Sequence, residues 1–342
     1  YTSFFLYMWF SVNKNKKAAI WATGSYLPEK VLSNADLEKM VDTSDEWIVT
    51  RTGIKERRIA GPQEYTSLMG AIAAEKAIAN AGLSKDQIDC IIFSTAAPDY
   101  IFPSSGALAQ AHLGIEDVPT FDCQAACTGY LYGLSVAKAY VESGTYNHVL
   151  LIAADKLSSF VDYTDRNTCV LFGDGGAACV IGESRPGSLE INRLSLGADG
   201  KLGELLSLPA GGSRCPASKE TLQSGKHFIA MEGKEVFKHA VRRMETAAKH
   251  SIALAGIQEE DIDWFVPHQA NERIIDALAK RFEIDESRVF KSVHKYGNTA
   301  ASSVGIALDE LVHTESIKLD DYLLLVAFGG GLSWGAVVLK QV

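Results

Sequence analysis

One arrangement of elements occurs twice in this chain of 342 residues, and that repetition limits the folds open to it more than any other feature. In the first copy a helical stretch runs from about Ser67 to Asn80, stops at Gly82 and leads into Ile88-Asp89-Cys90-Ile91-Ile92-Phe93-Ser94-Thr95. In the second a helix from about Val236 to Leu254 stops at Ala255-Gly256, passes a short acidic turn and enters Ile262-Asp263-Trp264-Phe265-Val266. Each copy closes with an apolar strand and a glycine-rich turn: Val149 to Ala154 with Phe172-Gly173-Asp174-Gly175-Gly176, and Tyr322 to Phe328 with Gly329-Gly330-Gly331. Similarity over such a span points to an internal duplication. The strands lack polar alternation, so they read as buried on both faces. Strands alternating with helices then imply α/β layers in which helices cover mixed sheets. The halves divide near Pro186-Gly187, as 18–185 and 186–342.

Counted within the repeat, Cys127 lies 39 residues after Ile88 and Asn298 lies 36 after Ile262. The two are therefore expected at nearly equivalent places, brought together where the halves meet. Composition removes other options. The formal charge is -9 and basic residues are scattered, which gives no nucleic-acid surface. The apolar run at 1–12 is too short to span a bilayer, and its positive charge follows it where an export signal carries charge before it. Residues 1–17 therefore read as an extension outside the domain. Six cysteines without a C-x-x-C doublet imply reduced thiols and a cytoplasmic protein with no metal site. No HExxH, P-loop or EF-hand motif occurs, and the terminal glycines lack dinucleotide-fingerprint spacing.

Three segments carry candidate chemistry. Ala125-Ala126-Cys127-Thr128-Gly129-Tyr130 opens a small-residue helix reaching Ser143 and Gly144. Cys127 at its amino end would have its thiolate favoured by the helix dipole and free N–H groups; the same residue also reads as a small buried hydrophobe. His268, in Val266-Pro267-His268-Gln269-Ala270-Asn271, ends a strand, where side chains converge on clefts in α/β proteins; a satisfied structural histidine is the other reading. Asn298, in Tyr296-Gly297-Asn298-Thr299-Ala300, offers either a carboxamide donor to an oxyanion or a helix cap. Two capping boxes, Ser33 with Asp36 and Thr43 with Glu46, are expected to open short helices. The second ends near Gly53 and puts Trp47 and Arg51 on one face.

These motifs, in this order, with Asp42-Thr43-Ser44-Asp45-Glu46-Trp47, Thr50-Arg51-Thr52-Gly53-Ile54 and Phe328-Gly329-Gly330-Gly331, resemble the beta-ketoacyl-acyl-carrier-protein synthase III family of the thiolase superfamily over about residues 18–342. The resemblance implies a thiolase-like five-layer αβαβα sandwich of duplicated halves and a homodimer. It implies condensation of a short acyl-CoA, with acetyl-CoA foremost, and malonyl-acyl carrier protein in fatty-acid synthesis. Cys127 would be acylated, with His268 and Asn298 completing the active site and the N–H groups of Cys127 and Gly330 forming the oxyanion hole. Trp47, Arg51 and Arg166 would bind coenzyme A, a substrate thioester rather than a tightly bound cofactor. Phe102, Phe172 and Phe328 would shape the acyl pocket, Phe102 from the partner subunit. Lys238, Arg273, Lys280 and Arg281 would receive the acyl carrier protein. Tyr130, where the family often has phenylalanine, and Lys234, where asparagine is frequent, depart from its pattern. Condensing enzymes making polyketides, quinolones or long-chain ketones share the same cysteine, and an acyl- or carrier-binding protein without turnover is the alternative outside enzymes.

Overall fold

The computed structural model describes residues 16–342; positions 1–15 of the expected extension lie outside the described residues. The first half contributes β1 (Ala18–Tyr26), α1 (Thr66–Asn80), β2 (Cys90–Ser94), α2 (Ser105–Leu113), β3 (Thr120–Asp122), α3 (Gly129–Glu142), β4 (Val149–Asp155) and β5 (Gly175–Glu183). The second contributes β6 (Leu189–Ile191), β7 (Ser195–Ala198), α4 (Gly233–Ala255), β8 (Ile262–Pro267), α5 (Glu272–Arg281), α6 (Ser303–Thr314), β9 (Tyr322–Gly329) and β10 (Ser333–Gln341).

Hydrogen bonding runs in the order β8-β9-β10-β6-β1-β5-β4-β2-β3, with β7 also on β10. The short β6 bridges the halves by pairing with both β1 and β10. The halves match in detail. In each, an inner parallel pair (β2 with β4, β8 with β9) is followed by an antiparallel closing strand. The parallel β2–β3 ladder has its counterpart in a single parallel bridge between Phe265 and Val289.

Alternation along the strands explains the layers, because successive side chains point to opposite faces. Ile91, Phe93, Leu150 and Ile152 pack outward against α1 and α2. Ile92 and Leu151 point inward, with Leu323 and Leu325 of the other half, against α3 and α6. Phe265, Leu324 and Val326 pack outward against α4 and α5. Helices, sheet, helices, sheet, helices make the expected five layers. The central pair must approach both sheets closely, which only small residues permit: a Cβ on Gly133 of α3 would stand 2.4 Å from Leu151 Cδ1.

The duplication holds a constant register through this core. Gly82 and Gly256, Ile88 and Ile262, Ala126 and Ala300, and Asp155 and Gly329 are each 174 positions apart. Ala126 and Ala300 share a left-handed backbone, φ 45° and 49°, and each begins a one-turn 3-10 helix, 126–128 and 300–302, ahead of α3 and α6. The counterpart of Cys127 is therefore Ala301, not Asn298, which corresponds to Gln124. The expected equivalence is off by three residues, because spacing alone does not locate the turn.

Local signals near the amino end fare similarly. The capping box at Ser33 and Asp36 is present. The second helix, Asp45–Thr52, is capped by Ser44, whose hydroxyl accepts from Trp47 N at 3.1 Å, rather than by Thr43. Glu38 Oε1 accepts from Asp45 N at 2.7 Å, which fixes the first turn one residue later. Among the described residues no helix is long and apolar enough to cross a membrane.

Candidate active site

After β3 the chain crosses to the interface of the halves, turns at Ala126 and places Cys127 in the 3-10 turn before α3. Cys127 is 7% exposed and lines a cavity of about 450 Å³ together with Ala96, Phe172, Leu206, Ala300 and Gly330. The expected thiolate is not what this setting favours. Burial, and secondarily the negative charge of Asp155, push the Cys127 thiol up to about 12. Desolvation outweighs the one contribution that lowers it, a hydrogen bond to the backbone N–H of Cys127. The resting group at neutral pH is thus a thiol. Its alkylation by iodoacetamide is expected to climb with pH past the free-cysteine value of about 8.5, because thiolate forms only as pH approaches the raised value. A rate that levels off below neutrality would contradict this.

The constant register explains why the Cys127 amide can face a ligand. Its counterpart, Ala301 N, donates to Asp155 Oδ2 at 2.8 Å. The residue matching Asp155 is Gly329, where a Cβ would lie 2.7 Å from Cys127 N. The carboxylate that occupies one amide thus has no counterpart at the other. Gly330, next along, borders the same cavity.

His268 follows β8, its N–H held by Val326 O at 2.7 Å. Its Nδ1 bonds Ser303 Oγ at the start of α6, and burial lowers its imidazole to about 4. The ring is therefore neutral through the physiological range, and Nε2 has no hydrogen-bond partner among the described residues. Asn298 is laid along Phe172 by a parallel bridge, with Asn298 N donating to Leu171 O at 2.8 Å and Gly173 N donating to Asn298 O at 3.0 Å. Its Oδ1 accepts from Ala300 N at 2.9 Å, so the carboxamide caps the turn with its oxygen and keeps its NH₂ as a donor. His268 and Asn298 are not on the wall of the 450 Å³ cavity themselves; Asn298 joins it through Phe172 and Ala300, and His268 bonds Ser303 three residues beyond Ala300.

Three buried polar residues went unread in the sequence. Arg57 is fully buried, donating to Leu32 O, Asn34 Oδ1 and Val170 O, and desolvation lowers its guanidinium to about 10. Its Cβ is 3.2 Å from where a Cβ on either Gly173 or Gly297 would lie, so it underpins the Asn298 segment. Gln269 ties Pro267 O and Phe290 O to the N–H groups of Ser292 and Val293, holding the end of β8. Asp155 is the third.

At the surface, the half-buried Trp47 has the Arg51 guanidinium 4.7 Å and the Arg166 guanidinium 5.0 Å from its ring centroid. Arg166 also donates to Asp42 O at 3.1 Å. Asn271 Nδ2 donates to Arg51 O at 3.1 Å, joining this helix to the start of α5. Arg273, Lys280 and Arg281 are exposed on α5, as is Lys238 on α4. Lys238 is paired with Glu235 at 2.7 Å and Arg281 with Glu245, so part of this positive charge is neutralised within the chain. Phe328 is buried with Phe172 beside Cys127. Phe102 lies elsewhere, 84% exposed beside Tyr100 and Ile101. Among the described residues no group of three or more His, Cys, Asp or Glu side chains is placed to hold a metal.

Comparison with known proteins places this geometry. A family model described as 3-oxoacyl-[acyl-carrier-protein (ACP)] synthase III C terminal matches residues 252–341, and one described as 3-oxoacyl-[acyl-carrier-protein (ACP)] synthase III matches residues 121–200. The beta-ketoacyl-[acyl-carrier-protein] synthase III of Chlamydia caviae is 79% identical over 331 residues, 97% of this chain and 99% of that protein. Its counterpart from Chlamydia trachomatis serovar D is 74% identical over 326 residues, 95% of this chain and all of that protein. The crystal structure of 3-oxoacyl-[acyl-carrier-protein] synthase III from Aquifex aeolicus superposes with a TM-score of 0.86 at 46% identity, covering 94% of this chain and 99% of that one.

Proposed function

Because this chain belongs to the 3-oxoacyl-[acyl-carrier-protein] synthase III family of thiolase-fold condensing enzymes, we propose that it joins a short acyl-CoA, acetyl-CoA foremost, to malonyl-acyl carrier protein through an acyl-Cys127 intermediate. The reaction type, a decarboxylating Claisen condensation by an acyltransferase, comes with the family; the substrates and residue roles are our reading. The observation that carries it is the buried thiol of Cys127 on the cavity wall, with its own N–H beside Gly329 and with Gly330 on the same wall.

In the first stage Cys127 sulfur attacks the acyl-CoA carbonyl. The N–H groups of Cys127 and Gly330 receive the developing oxyanion. The C–S bond to coenzyme A breaks, the thiol proton ends on the departing coenzyme A sulfur, and acyl-Cys127 remains. Trp47, Arg51 and Arg166 would hold the nucleotide end of coenzyme A, the guanidiniums offering charge to phosphates and the indole a stacking face. In the second stage the malonyl thioester oxygen accepts from His268 Nε2–H and the Asn298 NH₂. Carbon dioxide leaves, and its bonding pair becomes an enolate that those two donors stabilise. The enolate carbon attacks acyl-Cys127, giving 3-ketoacyl-acyl carrier protein and returning the thiolate, which takes up a proton. A histidine held neutral to about 4 suits this role: with its proton on Nε2 and Ser303 donating to Nδ1, it donates without first having to lose charge.

The carrier protein, rich in acidic groups by the chemistry of this surface, would dock on Lys238, Arg273, Lys280 and Arg281. We further propose that a homodimer brings the exposed Phe102 to the partner's acyl pocket, and that the nucleophile belongs to the half 18–185 and the two donors to 186–342. The substrate reading is tested by mass detection of products from acetyl-, isobutyryl- and longer acyl-CoAs with malonyl-acyl carrier protein or malonyl-CoA. Acetyl-CoA with malonyl-acyl carrier protein is expected to give the fastest turnover; turnover with malonyl-CoA alone would overturn it in favour of a related condensing chemistry. Gly329→Ala places a methyl against Cys127 N and is expected to slow acyl transfer about 10²-fold, measured by single-turnover acylation; an unchanged rate would remove this amide from the oxyanion hole.

A further inference from the structure

Asp155 ends β4 with no exposed surface, inside the interface between the halves. Its Oδ1 accepts from Thr95 Oγ1 at 2.9 Å, Ala96 N at 2.7 Å and Ala97 N at 3.1 Å; its Oδ2 accepts from Ala301 N at 2.8 Å. One carboxylate thus ties the 95–97 loop of the first half to the 300–302 turn of the second. Ala96 and Ala300, one from each, both line the cavity that holds Cys127. Ala300 N is in turn the donor to Asn298 Oδ1, and Ser303, two residues beyond Ala301, bonds His268. We propose that Asp155 is a positioning residue for the condensation: it fixes the turn from which Asn298 and His268 are oriented, and it sets the local charge that Cys127 meets.

The surroundings make that charge count. Among the described residues no cation pairs with Asp155: the adjacent Lys156 turns its ammonium to Gly61 O at 2.6 Å. Asp174, on the segment before β5, is held by Ser158 and Ala60 N. Cys127, on the same cavity wall as Ala96, whose N–H Asp155 holds, and Ala300, next to the Ala301 it also holds, is the titratable group that meets this charge. Burial raises the carboxyl to about 7 despite its four donors, so it changes charge within the working range of pH. Above that range it opposes formation of the Cys127 thiolate; below it, the opposition lapses.

The test uses Asp155→Asn in the full-length enzyme. Cys127 alkylation by iodoacetamide, which needs no acyl thioester, is expected to run on the order of tenfold faster than wild type at pH above neutrality, where a like charge has been removed. The ratio should fall toward one as pH drops through about 7. The condensation readout, which rests on the function proposed above, is a kcat about tenfold lower with KM for malonyl-acyl carrier protein little changed, because an amide NH₂ placed opposite the Ala301 N–H cannot accept from it. Thr95→Val serves if Asp155→Asn does not fold. Removing one donor to the ionised carboxylate raises its pKa, so the inflection in the alkylation profile moves to higher pH. A rate ratio independent of pH, or an inflection unmoved in Thr95→Val, overturns the charge role. An unchanged kcat overturns the positioning role. A wild-type enzyme that shows the alkylation pattern but does not condense these substrates would instead count against the proposed reaction.

Discussion

Cys127→Ala is expected to abolish self-acylation by labelled acetyl-CoA while leaving decarboxylation of a malonyl thioester measurable. The two stages use different atoms. In the proposed mechanism the acyl group is transferred to a sulfur that alanine lacks, whereas loss of carbon dioxide depends on donors from His268 and Asn298, which the substitution does not touch. The fold should tolerate it, because Cys127 is a small side chain in an otherwise apolar cluster with Phe172, Ala300 and Phe328. Covalent label retained on the variant would remove Cys127 as the nucleophile. Decarboxylation lost together with acylation would mean that the thiol also supports the second stage.

His268→Ala and Asn298→Ala are expected to lower condensation by about 10²–10³ each, the usual cost of removing one donor to a developing oxyanion. Acyl transfer should suffer much less. Asn298 needs a control, because its Oδ1 also caps Ala300 N, and alanine removes that contact along with the NH₂. Asn298→Asp keeps the acceptor and removes the donor, so a similar loss in that variant assigns the effect to the NH₂. If either alanine variant condenses at the wild-type rate, its residue has no part in stabilising the enolate.

Much of the fold was legible because it is written in short range. The glycine stops at Gly82 and Gly256, the unbroken apolar strands and the small residues of α3 each follow from local physics. The duplication carried these into a layered architecture. That His268 follows a strand and Asn298 a glycine turn was legible for the same reason, whereas their standing off the wall of the Cys127 cavity was not.

What escaped depends on contacts between distant segments. The 3-10 turn at Ala126, with its left-handed backbone, moves the true counterpart of Cys127 from Asn298 to Ala301, and no residue preference announces it. The burial that pushes the Cys127 thiol up is invisible in sequence, where only its place at a helix start can be read. Asp155 reads as the polar end of an apolar strand; its partner Ala301 is 146 residues away. Nothing in the sequence around Arg57, which has Arg58 beside it, announces burial, yet it is buried under Gly173 and Gly297.

The most direct measurement is a two-step trap on the wild-type enzyme: acetyl-CoA alone, then peptide mass analysis, then addition of malonyl-acyl carrier protein. One acetyl group is expected on the peptide bearing Cys127, and it should vanish as 3-ketoacyl-acyl carrier protein forms at the same rate. An acetyl group on another residue, or one on Cys127 that malonyl-acyl carrier protein fails to discharge, would contradict the account.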